Sequence, residues 1–160
     1  MKLNSQLLSF DGPLLERGFW LYVWEVLSDK EAIYYVGRTG DSSSANASSP
    51  FNRVGNHFDI RPNAKGNSLI KRLRERGIQP ETCTYRMIAV GPIFSEQPTF
   101  DMHRPYRDIV ATLEHALAEN LRSRGMLVVG THHPSAALDK KLFEQILNEV
   151  DESFFNNRTG

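Results

Sequence analysis

Cysteine, net charge and long apolar runs are all scarce in this chain. Its 160 residues include one cysteine, Cys83, so no disulfide can form within it. A lone thiol fits a reducing compartment, and we expect a cytoplasmic protein. No stretch approaches the roughly 20 consecutive apolar residues that a membrane helix needs. The first ten residues also lack an apolar stretch followed by a cleavage site, so we expect no signal peptide and no membrane partner.

Charge of one sign is also missing, because 19 basic and 19 acidic residues give a formal net charge of zero. This balance argues against a protein that coats nucleic acid through bulk charge. The charges are unevenly placed, however. Positions 61–76 hold six basic residues against Glu75 alone, whereas residues 144–152 are acidic. A local basic surface that contacts a nucleic-acid backbone therefore remains open, with a solvated helix face as the alternative. Its candidate members are Lys71, Arg72 and Arg74.

Strand and helix patterns alternate along the chain. Aromatic and β-branched residues predict strands at Phe19–Leu27, Ala32–Gly37 and Thr82–Val90, with the first two joined as a hairpin. Helical periodicity with suitable flanking residues predicts four helices. A short apolar run after the third helix can add a strand. The helices are expected at Phe51–Phe58, Asn67–Gly77, Pro105–Arg124 and Leu138–Val150, and the apolar run is Met126–Gly130.

The length suits a single domain, residues 1–160. Its core is expected at about residues 19–133, and residues 134–160 form a C-terminal helix and tail. The element order predicts a mixed α/β domain with a small three-stranded sheet flanked by helices.

Two tyrosines stand on the predicted hairpin. Tyr22 ends the triplet Trp-Leu-Tyr on the first strand, and Tyr35 begins Tyr-Val-Gly on the second. Aromatic core packing is one explanation for both, and membership of a functional site is the other. In such a site Gly37 would leave space for a phosphate to approach, and Arg38 would help to bind it. Simple turn and loop positions remain the alternatives for Gly37 and Arg38.

Arg53 and His57 are four residues apart, so on the first predicted helix they share a face. A fixed guanidinium binds phosphate oxygens through two parallel hydrogen bonds, which makes Arg53 a candidate phosphate ligand. His57 is a candidate phosphate contact or proton carrier, and a solvated surface pair is the alternative for both residues. Farther along, His132 either touches the substrate or a metal, or belongs to a polar loop.

Glu114 borders the apolar stripe of the long predicted helix, next to Val110 and Leu117. Burying a lone carboxylate is costly, so this position needs a cationic partner. A divalent cation, Mg²⁺ or Mn²⁺, would supply one, and Arg107, two turns earlier, is the alternative.

The order and spacing of these residues resemble the GIY-YIG nuclease family. Members carry two short motifs on the first two strands of a three-stranded sheet, an arginine on a following helix and a metal-binding glutamate on a later helix. Trp20-Leu21-Tyr22 and Tyr35-Val36-Gly37 match the two motifs, Arg53 matches the arginine, and Glu114 matches the glutamate. The resemblance spans roughly Phe19 to His133.

The resemblance implies a metal-dependent endonuclease that hydrolyses phosphodiester bonds in nucleic acid, with DNA expected rather than RNA. It implies Mg²⁺ (or Mn²⁺) on Glu114, Tyr22 as the base, Tyr35 as a positioning partner and Arg53 on the phosphate. A nearby cation would lower the pKa of the base toward a useful value. A homodimer would supply the two sites that cutting both strands at once requires.

Two alternatives to an active nuclease stay open. One is a catalytically inactive nucleic-acid-binding module with the same fold. Relatives usually begin the first motif with glycine, where this chain has Trp20, and often carry an asparagine beyond the glutamate helix, where this chain has His132 and its neighbours. Both departures would be expected in a module that has lost activity. The other is an unrelated α/β protein, in which these side chains would not converge.

Overall fold

The computed structural model describes Met1 and residues 3–157, and over these residues the chain folds into four strands and four α-helices. The strands are β1 (Phe19–Leu27), β2 (Ala32–Arg38), β3 (Thr84–Phe94) and β4 (Val128–Val129). The α-helices are α1 (Pro50–His57), α2 (Ser68–Glu75), α3 (Phe100–Ser123) and α4 (Lys140–Val150). Short 3₁₀ helices lie at Gly12–Leu15 and Pro80–Thr82, and a π-helical turn follows α4 at Asp151–Phe155.

The four strands form one sheet in the order β3-β1-β2-β4. β1 pairs antiparallel with β2 and with β3, so the predicted hairpin is confirmed. β4 pairs in parallel with β2 opposite Tyr34 and Tyr35. The mixed α/β class is therefore confirmed, whereas the prediction of three strands is wrong by one. β4 has two residues and reaches β2 only through the crossover helix α3, so no local pattern announces its pairing.

The boundaries on either side of the connection before α3 also differ from those predicted. β3 runs past its predicted end at Val90, because an edge strand tolerates Pro92, which has no N–H to donate. α3 begins at Phe100, ahead of Pro105, because the Thr99 side chain accepts a hydrogen bond from a backbone N–H of the first turn. The proline thus lies inside the helix and does not open it.

β1 is buried on both sides, because successive side chains point to opposite faces of a strand. Leu21 and Val23 pack against α3 and α4, whereas Tyr22 and Trp24 pack with residues of α1 and α2. Ile146 of α4 joins the same core as α3, so the C-terminal helix is part of the packed domain. The α1/α2 face is the one that carries both tyrosines predicted for the site.

α3 spans the other face of the sheet. Four members of its predicted apolar stripe, Val110, Leu113, Leu117 and Leu121, are fully buried, and the fifth, Ile109, is half-buried. Near its start, the buried His103 donates from Nε2 to the Gly40 carbonyl at 2.8 Å, which fastens the chain just after β2 to the helix. Among the described residues, no helix is both long enough and apolar enough to cross a bilayer.

Candidate active site

The two tyrosines meet around His57, at the end of α1. Tyr22 Oη lies 2.6 Å from His57 Nε2. The ring centroids of Tyr35 and His57 are 5.2 Å apart, with one ring edge-on to the other. Tyr22 is 2% exposed and His57 is 3% exposed, so His57 cannot serve as a surface contact for phosphate. Its position suits the other role predicted for it, that of a proton carrier.

Gly37 faces Tyr22 directly in the register of β1 and β2. A Cβ atom placed on Gly37 would overlap the phenol ring and the hydroxyl oxygen of Tyr22. The space that the sequence suggested for a phosphate is therefore filled by Tyr22. Gly37 acts through this packing, because only a residue without a side chain lets Tyr22 lie across β2.

Gly37→Ala should lower the free energy of unfolding by about 1–3 kcal/mol, as overpacking of a filled core does. Gly55→Ala is the matched control, because a Cβ at Gly55 in α1 meets no atom within 4 Å. Alanine is the better helix former, so the control should be neutral or stabilising by up to about 1 kcal/mol. Urea unfolding measures both. Equal stability of the two variants would contradict the packing role of Gly37.

Arg53 pairs with Asp41, an acidic residue that was not among the predicted site residues. Its Nη2 donates to Asp41 Oδ2 at 2.6 Å and to the Arg38 carbonyl at 3.4 Å. Its Nε is buried and has no partner among the described residues. Asp41 is the one acidic residue between positions 32 and 58, a stretch whose two guanidinium groups are those of Arg38 and Arg53. That isolated carboxylate is the signal that could have revealed it.

Arg38 is the partner of Glu114. Its Nε donates to Glu114 Oε2 at 2.9 Å, and its Nη1 donates to the backbone carbonyl of Arg107 at 3.3 Å. The guanidinium of Arg107, the alternative partner named from the sequence, pairs with Asp108 instead. Arg38 is therefore not a solvated loop residue, because it ends β2 and its guanidinium is held by Glu114 and the Arg107 carbonyl. The Glu114 side chain is 15% exposed, and burial raises its pKa to about 7 against the opposing effect of Arg38.

Burial governs the titration of the aromatic residues in the site. It raises the pKa of Tyr22 and of Tyr35, although Arg53 lowers both, and Glu114 adds to the rise at Tyr35. It lowers the pKa of His57 to about 4, and Arg53 adds to that shift. The expectation of a lowered pKa at Tyr22 is therefore wrong. At neutral pH Tyr22 is a protonated phenol and His57 a neutral imidazole that can accept a proton.

A cleft of about 150 Å³ opens beside Glu114, and we call it the Glu114 cleft. One water takes up about 30 Å³ in the liquid, so the cleft has room for a cation with a few waters. Within the described part of the chain, no three His, Cys, Asp or Glu side chains gather as a metal-binding group. A cation here would depend on one carboxylate, water and substrate oxygens, which suits Mg²⁺. The cleft is lined by Tyr35, Ser68, Arg72, Glu114, Gly130, Thr131 and His132.

The three basic residues predicted on α2 are all exposed, but Arg72 and Arg74 point to different sides of the helix. Arg72 lines the Glu114 cleft together with Ser68. Lys71 is exposed outside it, and Arg74 donates to the Ile60 carbonyl at 2.9 Å. One of the three is therefore placed beside the other site residues.

His132 is held by backbone contacts. Its Nε2 donates to the Val36 carbonyl at 2.9 Å, and its own carbonyl accepts a hydrogen bond from His115 Nδ1 at 3.0 Å. Burial lowers the pKa of its imidazole. The ring thus ties β2 to the loop after β4, and its Nε2 is not free to bind a metal or a phosphate.

Comparison with known proteins does not indicate a function, so a proposal of function depends on the geometry of the site. No described protein family, curated protein or solved structure matches this chain. The resemblance to GIY-YIG nucleases accordingly rests on the residues quoted above.

Proposed function

We propose that the chain is a metal-dependent endonuclease of the GIY-YIG type, which hydrolyses phosphodiester bonds in nucleic acid, with DNA as the expected substrate. The convergence of its five candidate catalytic side chains carries this proposal. His57 contacts both tyrosines, Arg53 reaches the carbonyl of Arg38, and the Arg38 side chain holds Glu114. Two guanidinium groups, one carboxylate and a phenol–imidazole pair are the parts that phosphoryl transfer to water requires.

Arg53 binds the scissile phosphate in this proposal. It exchanges Asp41, whose side chain is 39% exposed, for two phosphate oxygens. Glu114 would hold the divalent cation, which supplies Lewis acidity at the phosphate and the leaving oxygen. Arg38 orients that carboxylate through Oε2 and leaves Oε1 without a hydrogen-bond donor among the described residues.

Tyr22 and His57 move the proton. The attacking water gives a proton to Tyr22 Oη while the Tyr22 hydroxyl proton passes to His57 Nε2, 2.6 Å away. The hydroxide forms the new P–O bond as the bond to the leaving oxygen breaks, and the leaving oxygen takes a proton from solvent. This relay needs no tyrosinate in the resting protein, and the neutral imidazole of His57 is its acceptor.

Nicking of supercoiled plasmid by the wild-type protein tests the proposal, with single-stranded DNA and RNA oligonucleotides as further substrates. Cutting should appear with Mg²⁺ or Mn²⁺ and stop when EDTA removes the metal. Electrophoretic mobility shifts recorded in parallel separate the alternatives. Binding without cutting would favour the inactive binding module, and absence of both would favour an unrelated α/β protein.

The pattern of plasmid products also tests the proposed homodimer. One copy holds one set of these residues, so it cuts one strand per encounter. Linear plasmid that forms without a relaxed intermediate would indicate two copies acting together.

A further inference from the structure

α2 presents two different basic faces. Residues four apart lie on the same side of a helix, so Arg72 shares a side with Ser68. Lys71 and Arg74, three apart, share another side. Only the first side borders the Glu114 cleft. A segment that the sequence presents as one basic surface is therefore divided by the fold into a part beside the site and a part away from it.

Arg72 is a cation that can change partners easily. Its side chain is 43% exposed, and its Nη1 lies 3.2 Å from Glu75 Oε2, on a side chain that is 60% exposed. Exposed ion pairs of this kind contribute only about 0–1 kcal/mol, so little is lost when Arg72 turns to a stronger ligand. Arg74 is held at the Ile60 carbonyl on the other side of the helix.

The lining of the Glu114 cleft combines an acidic residue with hydrogen-bond donors. Glu114, with Arg38 bound to it, suits a cation or a phosphate that a cation bridges. The exposed Ser68 hydroxyl and the Arg72 guanidinium are both hydrogen-bond donors, and they suit the oxygens of an anion. Arginine binds phosphate oxygens through two parallel hydrogen bonds, and the Ser68 hydroxyl on the same side of the helix adds a further donor for the same anion.

We infer that Arg72 and Ser68 form a second phosphate subsite, which binds the phosphate next to the scissile one on the same strand. This inference rests on the proposed function, because the neighbouring phosphate exists only in a polynucleotide. The substrate class is therefore a strand with at least two consecutive phosphates, and a substrate with a phosphate only at the scissile position would lose this contact.

Arg72→Ala and Lys71→Ala form a matched pair, since each removes one exposed cation from the same helix. Arg72→Ala should raise the KM for oligonucleotide cutting and the Kd for binding about tenfold, with kcat little changed, as loss of one charge-assisted hydrogen bond predicts. It should also reduce the salt dependence of binding by about one phosphate contact. Lys71→Ala should leave KM, Kd and the salt dependence close to wild type. Both variants should keep the wild-type Tm.

A neutral methylphosphonate placed in turn at each phosphate of the oligonucleotide locates the contact. Wild type should lose about tenfold in affinity at the position beside the cut, and Arg72→Ala should lose nothing further there. Equal weakening by Lys71→Ala, or undiminished sensitivity of Arg72→Ala at that position, would overturn the subsite while the proposed function stands. A wild type that neither binds nor cuts any oligonucleotide would overturn both.

Discussion

Glu114→Gln should slow metal-dependent cutting by about a thousandfold or more. Glutamine keeps the shape of the side chain and can still accept a hydrogen bond from Arg38, but it lacks the charge that would hold a divalent cation. Metal-ion catalysis contributes several kcal/mol to transition-state stabilisation, and about 4 kcal/mol corresponds to a thousandfold in rate. The measurement is the plasmid-nicking rate under single-turnover conditions.

Glu119→Gln is the control for this substitution. Glu119 lies on the same helix and pairs with Arg122 at 2.6 Å, but its side chain is 55% exposed and outside the Glu114 cleft. Glu119→Gln removes the same charge as Glu114→Gln and should leave the nicking rate near wild type. Calorimetric titration with Mn²⁺ in the presence of substrate should show weakened metal binding only for Glu114→Gln. A wild-type nicking rate in Glu114→Gln would show that Glu114 does not hold the catalytic metal.

Glu114→Gln should also change how the free energy of unfolding depends on pH, which can be measured without an activity assay. Burial raises the pKa of Glu114 from 4.5 to about 7, so the folded protein keeps a proton that the unfolded chain releases. The stability that this proton contributes is fully present below about pH 4.5 and is lost as pH rises through about 7, by up to about 3 kcal/mol. Glutamine cannot ionise. Urea unfolding at pH 5 and pH 8 should therefore show wild type losing stability relative to Glu114→Gln, and a constant difference would show that Glu114 titrates normally.

Arg53→Ala should slow cutting by about a hundredfold to a thousandfold, the usual effect of removing one preorganised group that stabilises transition-state charge. Arg53→Lys should recover little, because an ammonium cannot bind two phosphate oxygens in the same geometry. Arg61→Ala is the control. Arg61 also pairs with a carboxylate, that of Asp59, but its side chain is 80% exposed and lies outside the site. Single-turnover nicking rates of the three variants show whether the effect is specific to the Arg53 guanidinium or follows the loss of any exposed arginine.

Arg53 and Tyr22 should act on the same transition state. Tyr22→Phe keeps the ring that packs over Gly37 and removes only the hydroxyl that lies 2.6 Å from His57. When two residues work as a unit, the double variant is little slower than the slower single variant. Rate losses that multiply in Tyr22→Phe/Arg53→Ala would mean that the relay and the phosphate ligand act independently.

Local features of the fold could be predicted because their causes are local. The hairpin of β1 and β2 follows from two β-rich runs around a polar turn, and the apolar stripe of α3 follows from helical spacing. The optional strand at Met126–Gly130 contains β4, but its pairing with β2 could not be predicted with the same means, because its two residues become a strand only where α3 delivers them to β2. The end of β3 and the start of α3 were mispredicted, near Pro92 and Pro105. The sequence does not show that Pro92 lies on a sheet edge, or that Thr99 caps the helix ahead of Pro105.

The candidate site divides in the same way. The positions of Tyr22, Tyr35 and Arg53 could be proposed from their order along the chain. The partner of Glu114 could not, because Arg38 is 76 positions away and nothing in the residue pattern prefers it to Arg107. The pKa of Tyr22 was mispredicted for a related reason. A nearby cation can be guessed from sequence, but the depth of burial that outweighs it is a property of the whole packed domain.

α3 touches the site at two separate points, and this makes the site a single cooperative unit. Glu114 holds Arg38 directly, while His103 holds the Gly40 carbonyl beside Asp41, the partner of Arg53. Any opening event that detaches this helix from the sheet would release Arg38 from Glu114 and the Gly40 carbonyl from His103 together. Loss of the packing of α3 on the sheet should therefore disturb the supports of both arginines at once, and activity should fall in parallel with it.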